Sequence, residues 1–373
     1  MTVLAPTWLF DGEAIRTGAA VAIEAGRIAA VLEAAPPGAT RLDGLLAPGL
    51  VDIQVNGGGG VLFNDAPTVE SLRTITAAHR KLGVTGIMAT LISDSRDKTR
   101  AAIDAVTAAI ATGLEGLIGL HLEGPWLSEP RRGVHPAANL RPMDDTDLKL
   151  LAVPHSFPLM VTLAPERASP DDIARLAAAG VRVSLGHTAA DFETTVRALD
   201  AGASCFTHLF NAMPPLESRN PGPIGAALSR ADAWAGLILD GIHVHPASAR
   251  AAFLAKSPRR VILVSDAMAT VGAASSEMSL FGEPISLSEG ALRTPSGTLA
   301  GAHLELASAV RNATTMLGAS ESDAMRMATL TPAEFLGIDQ DRGRIAIGAR
   351  ADFVLLDQSL NAQGVWTGGQ RAA

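Results

Sequence analysis

GLHLEGPWLSEPRRGVHP, residues 119–136, opens as an apolar run and ends as a polar loop. The run LIGLHLE reads as a buried strand, yet it stops on the carboxylate of Glu123, then a Gly-Pro break, and a short loop later His135. A buried strand that stops on an acid is expensive unless the acid has a partner. Seven further apolar runs read as strands: GLVDIQV, VTGIMATLI, LMVTLAP, VRVSLGH, SCFTHLF, AGLILDG and VILVSDA. Between most of them lie stretches with helical spacing, such as VESLRTITAAHRKLG, SPDDIARLAAAG and DFETTVRALDAG. The last two begin on Ser/Asp caps and end on Gly, the start and stop signals of helices. Eight buried strands alternating with helices predict parallel βα units, and eight units close a (β/α)8 TIM barrel. The alternative is an open doubly wound sheet. Polar residues at the end of nearly every strand favour the barrel.

The 373 residues leave room for such a barrel, which needs about 250, and for a modest extra module. Residues 1–47 and 343–373 read as short strands with turns, and neither set alone makes a stable sheet. Paired, they predict one small β-sandwich domain beside a barrel at 48–342. Residues 276–300 read as a hairpin inserted after strand eight, and GGGG at 57–60 as a flexible loop without the Lys-Ser/Thr of a phosphate loop. A net charge of −8 argues against nucleic-acid and anionic-membrane partners. One cysteine, Cys205, precludes a disulfide within the chain. The N-terminus lacks a basic leader and no apolar run reaches about 20 residues, so the expectation is a cytoplasmic protein without a membrane span.

The active site of a parallel barrel lies at the C-terminal ends of its strands. Those ends carry Gln54 and Asn56 (strand one), Glu123 (three), His187 (five), His208 (six), Asp240 followed by His243 (seven) and Asp266 (eight). Glu123, His187 and His208 are one carboxylate and two imidazoles, a ligand set for zinc or another divalent first-row ion with positions left for water. Asp266 is placed to accept a water proton and pass it on. Each residue also has a plainer reading: Glu123 pairing with Arg131 or Arg132, Asp266 capping the following segment, the histidines hydrogen-bonded in the core. His121 reads as barrel filling, and His79, His155 and His245 as surface or helix-cap residues.

The motifs LAPGLVDIQVNGGGGVLFND, GLHLEGPWL…GVHP, VTLAPE, SLGHT, THLFNAMP, DGIHV, VSDA and GTLAGAHLELASAVRN together resemble the amidohydrolase superfamily. Within it they resemble the N-acetylglucosamine-6-phosphate deacetylases, over nearly the whole chain. The resemblance implies hydrolysis of N-acetyl-D-glucosamine 6-phosphate to D-glucosamine 6-phosphate and acetate, in amino-sugar catabolism or cell-wall recycling. It implies Glu123, His187 and His208 as metal ligands, Asp266 as general base and then acid, and His135 as the group polarising the acetamide carbonyl. Gln54 would lie near the attacking water. Asn211, Ala212, Arg219 and His243 would bind the substrate, with Arg219 and His243 completing the site of a neighbouring subunit in a homodimer. Gln54 and Asn56 stand where the superfamily often carries His-x-His, so one ion per subunit is implied: zinc, or else iron, cobalt or manganese. His303, in GAHLE, is a second departure without an assigned role. A dihydroorotase-like cyclic amide hydrolase is the competing enzyme, but it would want His-x-His and a strand-four lysine, and LMVTLAPE has none. A barrel that lost its metal and serves as a scaffold is the non-enzymatic alternative.

Overall fold

The computed structural model describes residues 1–373. The eight apolar runs form one parallel sheet in sequential spatial order: Leu50–Val55, Val84–Ile92, Leu117–Glu123, Leu159–Leu163, Arg182–Leu185, Cys205–Phe206, Trp234–Ile238 and Val261–Val264. Nearly all of their residues are buried, as expected of strands covered on both faces. The connecting helices follow their capping signals. Ser169 and Asp172 form a capping box at the start of Pro170–Ala178, whose Ile173 and Leu176 face the core, and Asp191 caps Phe192–Asp200.

Strands eight and one share no continuous ladder. A bridge joins Val55 to Ala267, and the Ala267 carbonyl accepts from the N–H groups of Asn56 and Gly57 at 2.9 and 3.0 Å. Deeper in the barrel a side chain completes the closure. Asp52 Oδ1 accepts from the N–H of Gln54 at 3.2 Å and from that of Ser265, across the seam, at 3.3 Å. Its Oδ2 is buried without a partner. Burial pushes the carboxyl up to about 7, against the pull of its bonds to Ser265 and Gln54.

Strands from both chain ends build one eight-stranded mixed sheet. Thr2–Phe10 pairs in parallel with Thr40–Pro48, which pairs antiparallel with Phe353–Leu356. Leu9, Leu46, Phe353 and Trp366 belong to its separate core. Thr40–Pro48 runs into the first barrel strand through Gly49, where a β-carbon would stand 2.0 Å from Thr85 Oγ1. Glycine is therefore required at the junction of sheet and barrel.

Two local expectations fail. Instead of a flexible loop, Gly57–Gly58 pairs with Val61–Leu62 as a tight hairpin, because a β-carbon on Gly57 would lie 2.4 Å from the Val61 carbonyl and 2.9 Å from the Ala269 nitrogen. His79 is not on the surface: it is buried beneath this hairpin and its Nε2–H donates to the Gly57 carbonyl at 2.9 Å. The 276–300 insert holds three strands, Glu277–Leu280, Glu283–Ser288 and Ala291–Arg293. Its Leu280, Ile285 and Leu292 pack with Ile92 and Met268, so the insert sits on the barrel mouth. His245 does cap a helix, accepting from the Ala247 N–H.

Replacing Asp52 with Ala leaves two buried N–H groups unpaired and should cost about 2 to 4 kcal/mol in urea unfolding. The pH dependence has a definite sign. Between about pH 4 and pH 7 the unfolded chain releases a proton that folded Asp52 retains, so wild-type stability falls with rising pH relative to Asp52→Asn. A wild-type-to-variant difference independent of pH would show that Asp52 is ionised in the folded barrel.

Candidate active site

The strand ends converge on a cavity of about 340 Å³ lined by residues that include Asn56, Glu123, His135, His187, His208, Asn211, Ala212, His243 and Asp266. Three of these leave the strands with left-handed backbone: φ is 48° at His187, 30° at His208 and 50° at Asp266. Non-glycine residues held there cost of order 1–3 kcal/mol each and persist only when their surroundings impose it. The effect here is to turn the side chains inward over the barrel mouth.

Glu123 is the centre of the cluster. Its Oε1 lies 3.2 Å from His187 Nε2 and 3.0 Å from His208 Nε2, and the two nitrogens are 3.1 Å apart. Burial pushes Glu123 upward, but the bonds to His187 and His208 overcome it and hold the carboxyl well below the usual range. Burial lowers His208, yet the Glu123 bond and charge raise it above the ordinary imidazole value. Gln54 Nε2 bridges the two carboxylates, at 3.3 Å from both Glu123 oxygens and 3.1 Å from Asp266 Oδ1. Asn56 Nδ2 donates to the same Asp266 oxygen at 2.7 Å. Burial first, and the Glu123 charge second, push Asp266 up to about 6.

The tautomers of two histidines follow from their backbone partners. His187 Nδ1 faces the Arg131 carbonyl at 2.8 Å. A carbonyl only accepts, so Nδ1 carries a proton, which leaves Nε2 as the nitrogen whose lone pair a bound ion would take. His135 Nδ1 receives the Ser93 N–H at 3.3 Å, with the Ser93 hydroxyl at 2.8 Å. An N–H only donates, so His135 carries its proton on Nε2. Burial, then the His187 charge, push His135 down to about 3, which keeps the ring neutral.

The donor set fits a divalent ion. Three ligand atoms of the right types converge within 3.2 Å of one another, and the Arg131 carbonyl holds His187 by Nδ1 so that Nε2 is the nitrogen turned to the cluster. The ligand atoms of Glu123, His135 and His187 also lie within 4.8 Å of one another. Because Ser93 forces the proton onto Nε2, His135 is suited to donate rather than to ligate.

The cavity takes in most of the residues expected at the site. His243 lines this chain's cavity, with its Nδ1 2.6 Å from Asp240 Oδ2 and its side chain 6 % exposed. Arg219 lies in an exposed stretch, 215–220, and is not among the lining residues. His303 is exposed, bonds to Thr270 Oγ1 at 2.9 Å and does not line the cavity. Neither Arg131 nor Arg132 pairs with Glu123: the Arg131 carbonyl takes His187, and Arg132 donates to the His135 carbonyl. His121 fills the barrel beneath, bonded to Thr162 and Thr90. Sequence reasoning missed Ser93, although it is a polar residue at the end of strand two, and missed Asn56 as a donor to Asp266.

Known proteins match this chain over most of its length. Residues 45–372 match the amidohydrolase family. The chain is 46% identical to an N-acetylgalactosamine-6-phosphate deacetylase of Shewanella sp. (strain ANA-3), over 88% of this chain and 83% of that protein. It is 36% identical to a human N-acetylglucosamine-6-phosphate deacetylase, over 87% and 83%. The solved structure of a mutant N-acetyl-D-glucosamine-6-phosphate deacetylase of Mycobacterium smegmatis, in complex with N-acetyl-D-glucosamine-6-phosphate, superposes with a TM-score of 0.92 at 33% identity, over 99% of this chain and 98% of that one. With nearly its whole length matched and a carboxylate–imidazole cluster at its strand ends, the chain belongs to the amidohydrolase family.

Proposed function

We propose that the protein hydrolyses the acetamide of an N-acetylated hexosamine 6-phosphate, releasing acetate and the amino sugar 6-phosphate. The observation that carries this reading is the pair of opposite backbone partners, an acceptor and a donor, at Nδ1 of two neighbouring histidines. His187, backed by Arg131, would offer an ion the lone pair of Nε2, and His135, backed by Ser93, offers a proton. Glu123, His187 and His208 would hold one divalent ion: zinc, with iron, cobalt or manganese compatible with the same donors. When bound, such an ion supplies Lewis acidity and lowers the pKa of water beside it. His135 Nε2–H donates to the acetamide oxygen and stabilises the charge that develops there, an effect worth about 3 kcal/mol for a well-placed donor. Asp266, oriented by Gln54 and Asn56, takes the proton of the attacking water and returns it to the departing nitrogen.

Asn211, Ala212 and His243 lie in the cavity where a substrate would extend. Arg219 would reach the phosphate from the partner subunit of a homodimer, a reading supported by its exposed position outside its own cavity. No helix is long and apolar enough to cross a membrane. Cys205 is buried and free, which supports work in the reducing cytoplasm, within amino-sugar catabolism. A second substrate reading is N-acetylgalactosamine 6-phosphate, favoured by the name of the 46% identical relative. Acetate release from the two epimers, with and without phosphate, on metal-loaded protein decides between them. No release from either sugar phosphate would overturn the proposed reaction.

Glu123→Gln should lose the ion, read by elemental analysis, together with activity. Asp266→Asn should retain the ion and lose about 10²- to 10⁴-fold in turnover; near-normal rates would remove Asp266 from its role. Arg219→Ala should weaken binding of the sugar phosphate by about tenfold, in line with loss of one charge-assisted contact. If Arg219 acts across a dimer, mixing inactive Asp266→Asn subunits with Arg219→Ala subunits should restore activity above that of either alone. No recovery in verified mixed dimers would place Arg219 outside the neighbour's site.

A further inference from the structure

We infer that Asp240 is a positioning residue for phosphate discrimination, acting by fixing which nitrogen of His243 faces the cavity. The inference rests on the reading of the site as one for a sugar phosphate. Asp240 follows strand seven, where Asn312 Nδ2 anchors the Leu239 carbonyl at 2.8 Å. Its Oδ1 accepts from the N–H groups of Ile242 and His243 at 2.8 and 2.9 Å, which shapes the turn. Its Oδ2 lies 2.6 Å from His243 Nδ1. Burial pushes Asp240 upward, but the hydrogen bond and charge of His243 outweigh it, and the carboxyl sits below its ordinary value. It is a carboxylate in the folded protein.

A carboxylate only accepts, so His243 Nδ1 carries a proton. Nε2 is then the one uncommitted nitrogen of a ring that lines the cavity. In the neutral ring this nitrogen has only a lone pair, which a phosphate oxygen does not favour. In the imidazolium it becomes an N–H donor, and the adjacent carboxylate compensates the charge. Asp240 thereby couples phosphate binding to the cationic ring: the phosphate meets either a charge-assisted donor or none. Charge-assisted bonds are roughly twice as strong as neutral ones, and with the ring protonated the Asp–His pair would supply one without net charge, in a chain whose total is −8. Asp240 is not a catalytic residue, because its oxygens are all committed to the turn and the ring.

The test uses the metal-loaded protein with N-acetylglucosamine 6-phosphate and the unphosphorylated sugar. In Asp240→Asn the amide oxygen can still accept the two turn N–H groups, but the ring faces an amide N–H and loses its anionic partner. KM for the sugar phosphate should rise at least about tenfold with kcat changed less than about threefold. kcat/KM for the free sugar should hardly move. The double variant with His243→Ala should be no worse than His243→Ala alone. An unchanged KM, an equal loss on both sugars, or additive losses in the double variant would each overturn the inference. A histidine ¹⁵N spectrum of the wild type reads the tautomer without any Asp240 variant that might misfold: His243, assigned by its disappearance in His243→Ala, should carry a proton on Nδ1, and an unprotonated Nδ1 would overturn the inference. If wild type shows no preference for the phosphorylated sugar, the phosphosugar reading falls, while the tautomer still reports on Asp240 and His243.

Discussion

A carboxylate buried at the end of a strand has to be compensated, and much of the barrel mouth is arranged around that requirement at Glu123. His187 and His208 reach it from strands five and six, and Gln54 from strand one. To do so both histidines leave their strands with positive φ, a conformation the cluster itself must hold in place. Each partner is in turn constrained from behind: His187 by the Arg131 carbonyl, and Gln54 by its second bond to Asp266. The local conformations and the cluster therefore depend on one another. The same mutual constraint gives neighbouring imidazoles different chemical characters without any difference in residue type.

The barrel seam answers a similar need. Strands one and eight both carry site residues, Gln54 and Asn56 on one side and Asp266 on the other. Continuous ladder pairing between them is replaced by Ala267 and the Asp52 side chain. This leaves the two strand ends free to place their polar groups over the mouth, and it moves the cost of closure to a buried acid whose pKa burial pushes up to about 7.

Much of this was legible in the sequence. Strand periodicity gave all eight barrel strands, and Ser169 and Asp191 marked their helices, because capping and burial are local or nearly local effects. Glu123, His187, His208 and Asp266 were legible as polar residues ending apolar runs, a pattern with few explanations other than a site. The tautomer of His135 was not, since it is set by Ser93, forty-two positions away. His79 looked like a surface histidine because helical spacing does not reveal that a glycine hairpin folds over it. That His243 lines this chain's own cavity was not legible either, because the turn made by Asp240 sets its position. In these cases the deciding partner is distant in sequence or is a backbone atom, which side-chain patterns do not record.

The terminal sheet has a consequence for how the chain emerges during synthesis. Thr40–Pro48 finds its antiparallel neighbour, Phe353–Leu356, only after the whole barrel has been made. Until then its outer edge is an open row of unpaired backbone groups, joined through Gly49 to a barrel that has already begun to close. Such an edge is a template for pairing with another nascent chain. The final segment acts as a late clasp, and the interval before it arrives is when the polypeptide is most exposed to misassembly on crowded ribosomes.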